Sequence, residues 1–318
     1  MAIHIRRAGM PSVESSGPLA DVEFGAAMCV LASGSGGNCT AIVVKRGMVR
    51  RVVLIDLGLS PRKTFRMLAG LPGGGVRPDQ IDDALVTHLD SDHFRLEWLR
   101  MLPSHTRLRM HARHARQIGL TDRGGAGGGA GGVRVFEDSF ELGDGVVVRP
   151  LLMSHDEAGV ATFRIDMPGA GGGSLGFCTD LGHVTDELVE HLTVDGGVDV
   201  LAIESNYCPR MQLASPRPEF LKRRIMGGSG HLSNQQALEA VRRVSPREHV
   251  VLLHLSRECN DPALVAEMHG GGRKGGGAEF ALTIAEQFHP PRWVSLARSA
   301  RPLTRLPVVV REKQAMLF

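Results

Sequence analysis

A repeated order of residues limits the fold of this chain more than any other feature: a short apolar run, then a side chain able to bind a metal. The runs Leu175-Gly176-Phe177-Cys178-Thr179, Val200-Leu201-Ala202-Ile203 and Val250-Val251-Leu252-Leu253 lead directly into Asp180, Glu204 and His254. Ala84-Leu85-Val86 leads through Thr87 into His88, and the strand-like run 146–153 is followed shortly by His155. Short apolar runs rich in β-branched residues predict buried strands. Ligands at the C-terminal ends of such strands can converge at one edge of a sheet, so the pattern predicts an α/β fold with its site there. The densest segment, His88-Leu89-Asp90-Ser91-Asp92-His93, holds four metal-capable side chains in six residues. Packing asks for no such cluster. A two-ion site does, because each ion takes about three protein ligands and keeps a position open.

The 318 residues and 42% hydrophobic content allow one large core or two modest domains. The formal net charge is only +3. Residues 291–318, however, hold six basic side chains (Arg292, Arg298, Arg301, Arg305, Arg311, Lys313) against Glu312. A basic tail on a mildly acidic body points to a polyanionic partner or to a solvated terminus. The five cysteines, at 29, 39, 178, 208 and 259, are odd in number and form no CxxC pair. That argues against a disulfide framework and against a zinc ribbon. The N-terminus has no apolar core of a signal peptide and no run is long enough to span a bilayer, so a cytoplasmic protein without membrane contact is expected.

Three regions are expected: a weakly ordered arm over 1–24, a folded domain carrying the site over 25–295, and a basic tail over 296–318. In the domain, Met28-Cys29-Val30-Leu31-Ala32 reads as a strand entering the glycine-rich turn Ser33-Gly34-Ser35-Gly36-Gly37-Asn38-Cys39. Strands are expected over 40–44 and 51–56. Ser60 and Pro61 open a helix ending near Ala69, and later helices are expected over 186–191 and 234–244, the last capped by Ser233. The glycine-rich segments 124–132, 169–173 and 270–277 are expected to be surface loops, because none has the P-loop context.

The chain resembles the metallo-β-lactamase fold superfamily, and within it the bacterial YycJ/WalJ-like group of exonucleases. The resemblance rests on Leu31-Ala32-Ser33-Gly34-Ser35-Gly36-Gly37-Asn38, Leu54-Ile55-Asp56-Leu57-Gly58-Leu59-Ser60 and residues 87–93. It continues through Ser154-His155-Asp156, Thr179-Asp180-Leu181-Gly182-His183-Val184, Glu204-Ser205-Asn206, residues 222–225, Gly230-His231-Leu232 and His254-Leu255-Ser256. It implies an αββα sandwich of two mixed sheets flanked by helices, with two divalent ions, zinc or manganese, at one edge. His88, Asp90 and His155 would hold one ion; Asp92, His93 and His254 the other; Asp180 would bridge them. An aspartate bridge, where hydrolytic β-lactamases place cysteine, points to phosphodiester hydrolysis. Asp90 departs from the family pattern, which has histidine there. Either the site is degenerate, or a carboxylate replaces imidazole and favours harder ions such as Mn²⁺.

The same resemblance implies a water activated by two ions as nucleophile and a catalytic set of Asp92, His231 and Glu204. His231 stands relative to His254 like the proton-donating histidine of tRNA-processing relatives, and Glu204 would orient it or a ligand. A helix-terminal structural role for His231 stays open. Asp56 would support the ligand loop. His183, Lys222, Arg223 and Arg224 are candidate substrate contacts, against a default of solvated surface for the three basic residues. The last five residues, Gln314-Ala315-Met316-Leu317-Phe318, resemble the short peptide by which bacterial DNA-processing proteins dock on the replication sliding clamp. The expected activity is a metal-dependent phosphodiesterase and DNA exonuclease. Hydrolysis of small phosphodiesters or esters, and a non-catalytic binding role, remain as alternatives. The 4% aromatic content offers no obvious stacking platform for single strands.

Overall fold

The computed structural model describes residues 24–121, 132–155, 157–169, 172–270, 280–287 and 292–298. The arm up to residue 23, Asp156, most of the glycine-rich segments 124–132 and 270–277, and the terminal pentapeptide lie outside the described residues.

The first sheet contains β1 (Phe24–Ala32), β2 (Cys39–Arg46), β3 (Val49–Ile55), β4 (Ile81–Val86), β5 (Arg107–His111) and β6 (Val133–Phe136). The second contains β7 (Phe140–Gly143), β8 (Val146–Met153), β9 (Val160–Asp166), β10 (Ser174–Cys178), β11 (Val200–Glu204), β12 (His249–Leu253) and β13 (Ala281–Ile284). The last strand, β14 (Trp293–Ser295), returns to the first sheet and pairs antiparallel with β1, giving the order β14-β1-β2-β3-β4-β5-β6. The second sheet has the order β13-β12-β11-β10-β9-β8-β7. Both sheets are mixed. β3 through β6 and β10 through β13 run parallel, while β1–β3 and β7–β10 are antiparallel.

Strand alternation sorts the side chains into layers. Met28, Ile42, Val53 and Leu85 face Phe163, Leu175, Ala202 and Val251 between the sheets. Cys29, Val43, Leu54 and Ala84 face outward, where Leu68 and Trp98 cover them. Cys178, Leu201 and Leu252 face the opposite way, under Leu188, Leu192, Ala240 and Val244. The covering helices are α1 (Pro61–Ala69), α2 (Trp98–Met101) and α3 (Ala112–Gln117) on the first sheet. Then come α4 (Asp186–Thr193), α5 (Pro209–Ala214), α6 (Glu219–Met226), α7 (Asn234–Val244) and α8 (Pro262–Met268). The result is the expected αββα sandwich.

Local chemistry sets the helix ends. Ser60 accepts a hydrogen bond from the Lys63 N–H and Pro61 occupies the first turn, as the sequence predicts. Ser233 and Gln236 form a reciprocal capping box at the start of α7. No helix among the described residues is long and apolar enough to cross a membrane.

Candidate metal centre

Five parallel-strand ends and one antiparallel-strand exit deliver the polar cluster. His88 and the loop after it leave β4, His155 follows β8, Asp180 follows β10, Glu204 ends β11, and His254 follows β12. Asp56 follows β3. Three of these residues, Asp56 (φ 63°), Asp180 (φ 54°) and His254 (φ 54°), occupy the left-handed backbone region. That region is uncommon for side-chain-bearing residues and tends to occur where surrounding structure enforces it, as at functional sites. Each strand therefore turns abruptly and aims its terminal side chain inward.

Asp180 is the hub. Its Oδ2 lies 3.3 Å from His88 Nε2 and 3.1 Å from His93 Nε2, and its Oδ1 lies 2.9 Å from His254 Nδ1. Two sets of potential ligand atoms form around it: His88, His155 and Asp180 on one side, and Asp92, His93 and His254 on the other. The atoms of each set lie within 4.8 Å of one another. Asp90 sits farther out, its Oδ2 3.8 Å from His88 Nε2 and 3.9 Å from His155 Nε2. An aspartate is shorter than the histidine of the family pattern, which accounts for that distance.

The charges are mutually dependent. The hydrogen bond from His155 holds the Asp90 carboxyl down at about 2. Burial lowers the proton affinity of His93, but the carboxylates of Asp180 and Asp56 outweigh it and push the imidazole up to about 10. Burial and the same Asp180 charge compete at His254, which is also raised. Burial opposes ionisation of Asp180, and the His254 and His93 charges overcome it and hold the carboxyl well below the usual range. This is a concentration of negative charge with imidazoles around it, which a divalent cation would neutralise in place of protons. His88 Nε2 is fully buried and has no hydrogen-bond partner among the described residues. A buried nitrogen with no aligned hydrogen bond, 3.3 and 3.8 Å from two carboxylates, fits a ligand of a divalent ion, as does the N/O donor set around it.

A supporting shell orients the ligands. Asp56 accepts from the Thr87 N–H (2.9 Å) and hydroxyl (2.9 Å) and lies 2.7 Å from His93 Nδ1. His88 Nδ1 lies 3.0 Å from the Thr87 hydroxyl, and His155 Nδ1 lies 3.1 Å from the Gly230 carbonyl. Holding one ring nitrogen fixes which nitrogen faces an ion. The glycine-rich turn after β1 serves the same purpose. Asn38 Nδ2 donates to the Asp92 carbonyl and Ser33 Oγ accepts from the His254 N–H. Gly58 packs where a Cβ would come within 1.7 Å of the Asp92 carbonyl oxygen, so no larger residue fits there. Gln287, just after β13, bonds Gly36 and Gly37 and braces the turn from the other sheet.

Glu204 is buried. Its Oε1 accepts from the Leu181 and Leu232 N–H groups, and its Oε2 lies 3.0 Å from His231 Nδ1. Opposing burial, the His231 charge lowers the carboxyl. Glu204 and His231 also come within 4.8 Å of Asp180 and His254. Glu204 and His231 share a hydrogen bond beside the ligand sets, and His231 lines the cleft.

The cleft has a volume of about 470 Å³ and is lined by Asp90, Asp92, His155, Asp180, His231 and His254, with Arg217 and Arg224 among the wall residues. Of the basic residues expected at substrate, only Arg224 lines it. Lys222 is buried against α5, its Nζ donating to the Leu213 carbonyl (2.8 Å) and lying 3.1 Å from Glu219. It cannot reach a substrate phosphate without breaking that packing. Arg223 is exposed and is not part of the wall, and His183 turns its Nδ1 to the Gly228 carbonyl (2.7 Å) outside it. Arg217 and Asn206, both in the wall, were not anticipated. Asn206 lies in the Glu204-Ser205-Asn206 segment of the resemblance, two residues beyond the strand end, whereas Arg217 reaches the wall from a loop whose packing no local pattern encodes.

The model of the beta-lactamase superfamily domain matches residues 51–255. Exodeoxyribonuclease WalJ of Streptococcus pneumoniae is 26% identical over 250 residues, covering 75% of this chain and 84% of the relative. Exodeoxyribonuclease YycJ of Bacillus anthracis is 28% identical over 239 residues, covering 73% and 83%. The metallo-β-lactamase fold protein YhfI of Bacillus subtilis superposes with a TM-score of 0.54 at 13% identity, covering 82% of this chain and 97% of the other, a likeness of fold. With the two mixed sheets, the strand-end ligand cluster and the matched span, the chain belongs to the beta-lactamase superfamily, as a metal-dependent hydrolase of the metallo-β-lactamase fold.

Proposed function

We propose that this chain is a phosphodiesterase of nucleic acid, a DNA exonuclease, that works with two divalent ions. The observation that carries the reading is the doubled ligand arrangement about Asp180, with His88 and His155 on one side and Asp92, His93 and His254 on the other. The exodeoxyribonuclease relatives support a DNA substrate. Asp90 completes the first set as a carboxylate, which favours manganese over strict zinc preference. When bound, such ions acidify water at neutral pH and offset charge on phosphoryl oxygens. Asp56, Thr87 and Asn38 keep the ligands in register. Arg224 offers its guanidinium group to substrate phosphates at the cleft wall. His231, held by Glu204, gives its proton to the leaving oxygen.

Protein stripped by chelation should regain cleavage of labelled single-stranded DNA as Mn²⁺ or Zn²⁺ is restored, saturating at two ions per chain. Full activity with the stripped protein would contradict the reading. Replacing Asp90 by histidine should preserve hydrolysis and raise zinc affinity by about ten-fold, measured against a chromophoric chelator. A folded, metal-loaded D90H protein with no activity would remove Asp90 from the ligand set. We further read Gln314-Ala315-Met316-Leu317-Phe318 as a sliding-clamp peptide. Deleting it should abolish clamp binding in a surface-immobilised assay and spare turnover on short oligonucleotides; unchanged clamp affinity would reject this role.

A further inference from the structure

Helix α6 carries two features on adjoining faces that the metal chemistry does not use. Leu221, Arg224 and Ile225 line the cleft, at the i, i+3, i+4 spacing of one helix face. Phe220 lies four residues before Arg224, one helical turn away, does not line the cleft and is 69% exposed. Its ring stacks on no other aromatic or cationic group among the described residues. Leu213, 59% exposed, lies on the neighbouring helix α5. The Arg224 guanidinium has no ion-pair partner among the described residues, whereas Arg217 is paired with Glu258 at 2.9 Å.

The helix is fixed rigidly to the metal centre. The Ile225 carbonyl accepts from the His231 N–H (2.9 Å), and a Cβ on Gly230 would come within 2.3 Å of both the Arg224 and Ile225 carbonyl oxygens. Gly230 in turn holds His155. Lys222 ties the other side of α6 to α5. An exposed phenylalanine on such an anchored helix keeps a fixed position relative to the ligand sets. Leaving it in water costs hydrophobic free energy that a flat, apolar-faced ligand would recover.

We propose that Phe220 is a stacking platform for a base at the end of a single strand, with Arg224 holding a phosphate of the same strand as it enters the cleft. This rests on the nucleic-acid reading above and adds the element that grips the substrate and its preference for an unpaired end. The chemistry matches: Phe220 offers a π face for a base outside the cleft, one helical turn from Arg224, while Arg224 and the ligand cluster line the cleft itself.

Full-length protein with Mn²⁺ would be assayed on an end-labelled single-stranded oligonucleotide and on the same strand with abasic terminal nucleotides. Phe220→Ala should raise KM for the normal strand by about ten-fold and move kcat far less. Phe220→Trp should restore KM, Phe220→Leu should not, and the abasic strand should not distinguish the variants. Fluorescence anisotropy in the Asp180→Ala background would read binding independently of turnover. Strand binding that depends on Phe220 without any cleavage by the wild type would uphold the platform and refute the nuclease reading. Binding and KM indifferent to Phe220, or rescued equally by leucine, would overturn the platform.

Discussion

Replacing Asp180 by alanine should lower kcat by about a thousand-fold or more, the scale of several kcal/mol of lost charge stabilisation. It should also cut the bound metal of purified protein. Both effects have one cause. Among the described residues, Asp180 is the only carboxylate that reaches His88, His93 and His254 together, at 3.3, 3.1 and 2.9 Å. Removing it separates the two ligand sets and leaves three imidazoles facing one another. The apo fold should survive, because Asp180 lies at a strand exit and the cores of the two sheets lie elsewhere. Metal analysis and circular dichroism on the same sample check this. An alanine variant that keeps two ions and wild-type turnover would remove Asp180 from its central place.

Replacing His231 by alanine should lower kcat by about a hundred- to ten-thousand-fold on DNA, the range of a lost general acid. Metal content should change little. The loss should shrink on a nucleoside phosphodiester carrying a p-nitrophenolate leaving group, which needs no proton to depart. A merely structural His231 would give equal losses on both substrates. Glu204→Gln should behave as a weaker version of the same defect. It keeps a hydrogen-bonding oxygen for the backbone N–H groups of Leu181 and Leu232 but removes the charge that orients and sustains the imidazole.

The fold and the potential ligands were legible because both are written in local order. Apolar runs fixed the strands, and the turn out of each strand had to place the next polar residue at the sheet edge. Helix ends were equally legible at Ser60 and Ser233, where a side-chain oxygen meets free N–H groups. The substrate-facing residues were not. Lys222, Arg223 and Arg224 look alike in sequence, and only the rotation of α6 decides that Arg224 lines the cleft while Lys222 is buried on α5. Gly230, in the loop after α6, packs closely on the Arg224 and Ile225 carbonyls at the end of that helix, a contact no local pattern encodes. Phe220 escaped for a related reason. A lone phenylalanine in a helix reads as core, and low aromatic content argued against a stacking surface, yet the helix turns it to solvent. Arg217 and Gln287 act from loops and across 39 to 251 residues of sequence, beyond any periodic signal.

End-labelled single- and double-stranded DNA and RNA, incubated with wild-type and Asp180→Ala protein and added Mn²⁺ or Zn²⁺, test the central claim most directly. The account predicts metal-dependent shortening of DNA from one end by the wild type and none by the variant. Metal-loaded wild-type protein that leaves every strand intact while hydrolysing a small phosphodiester would contradict it.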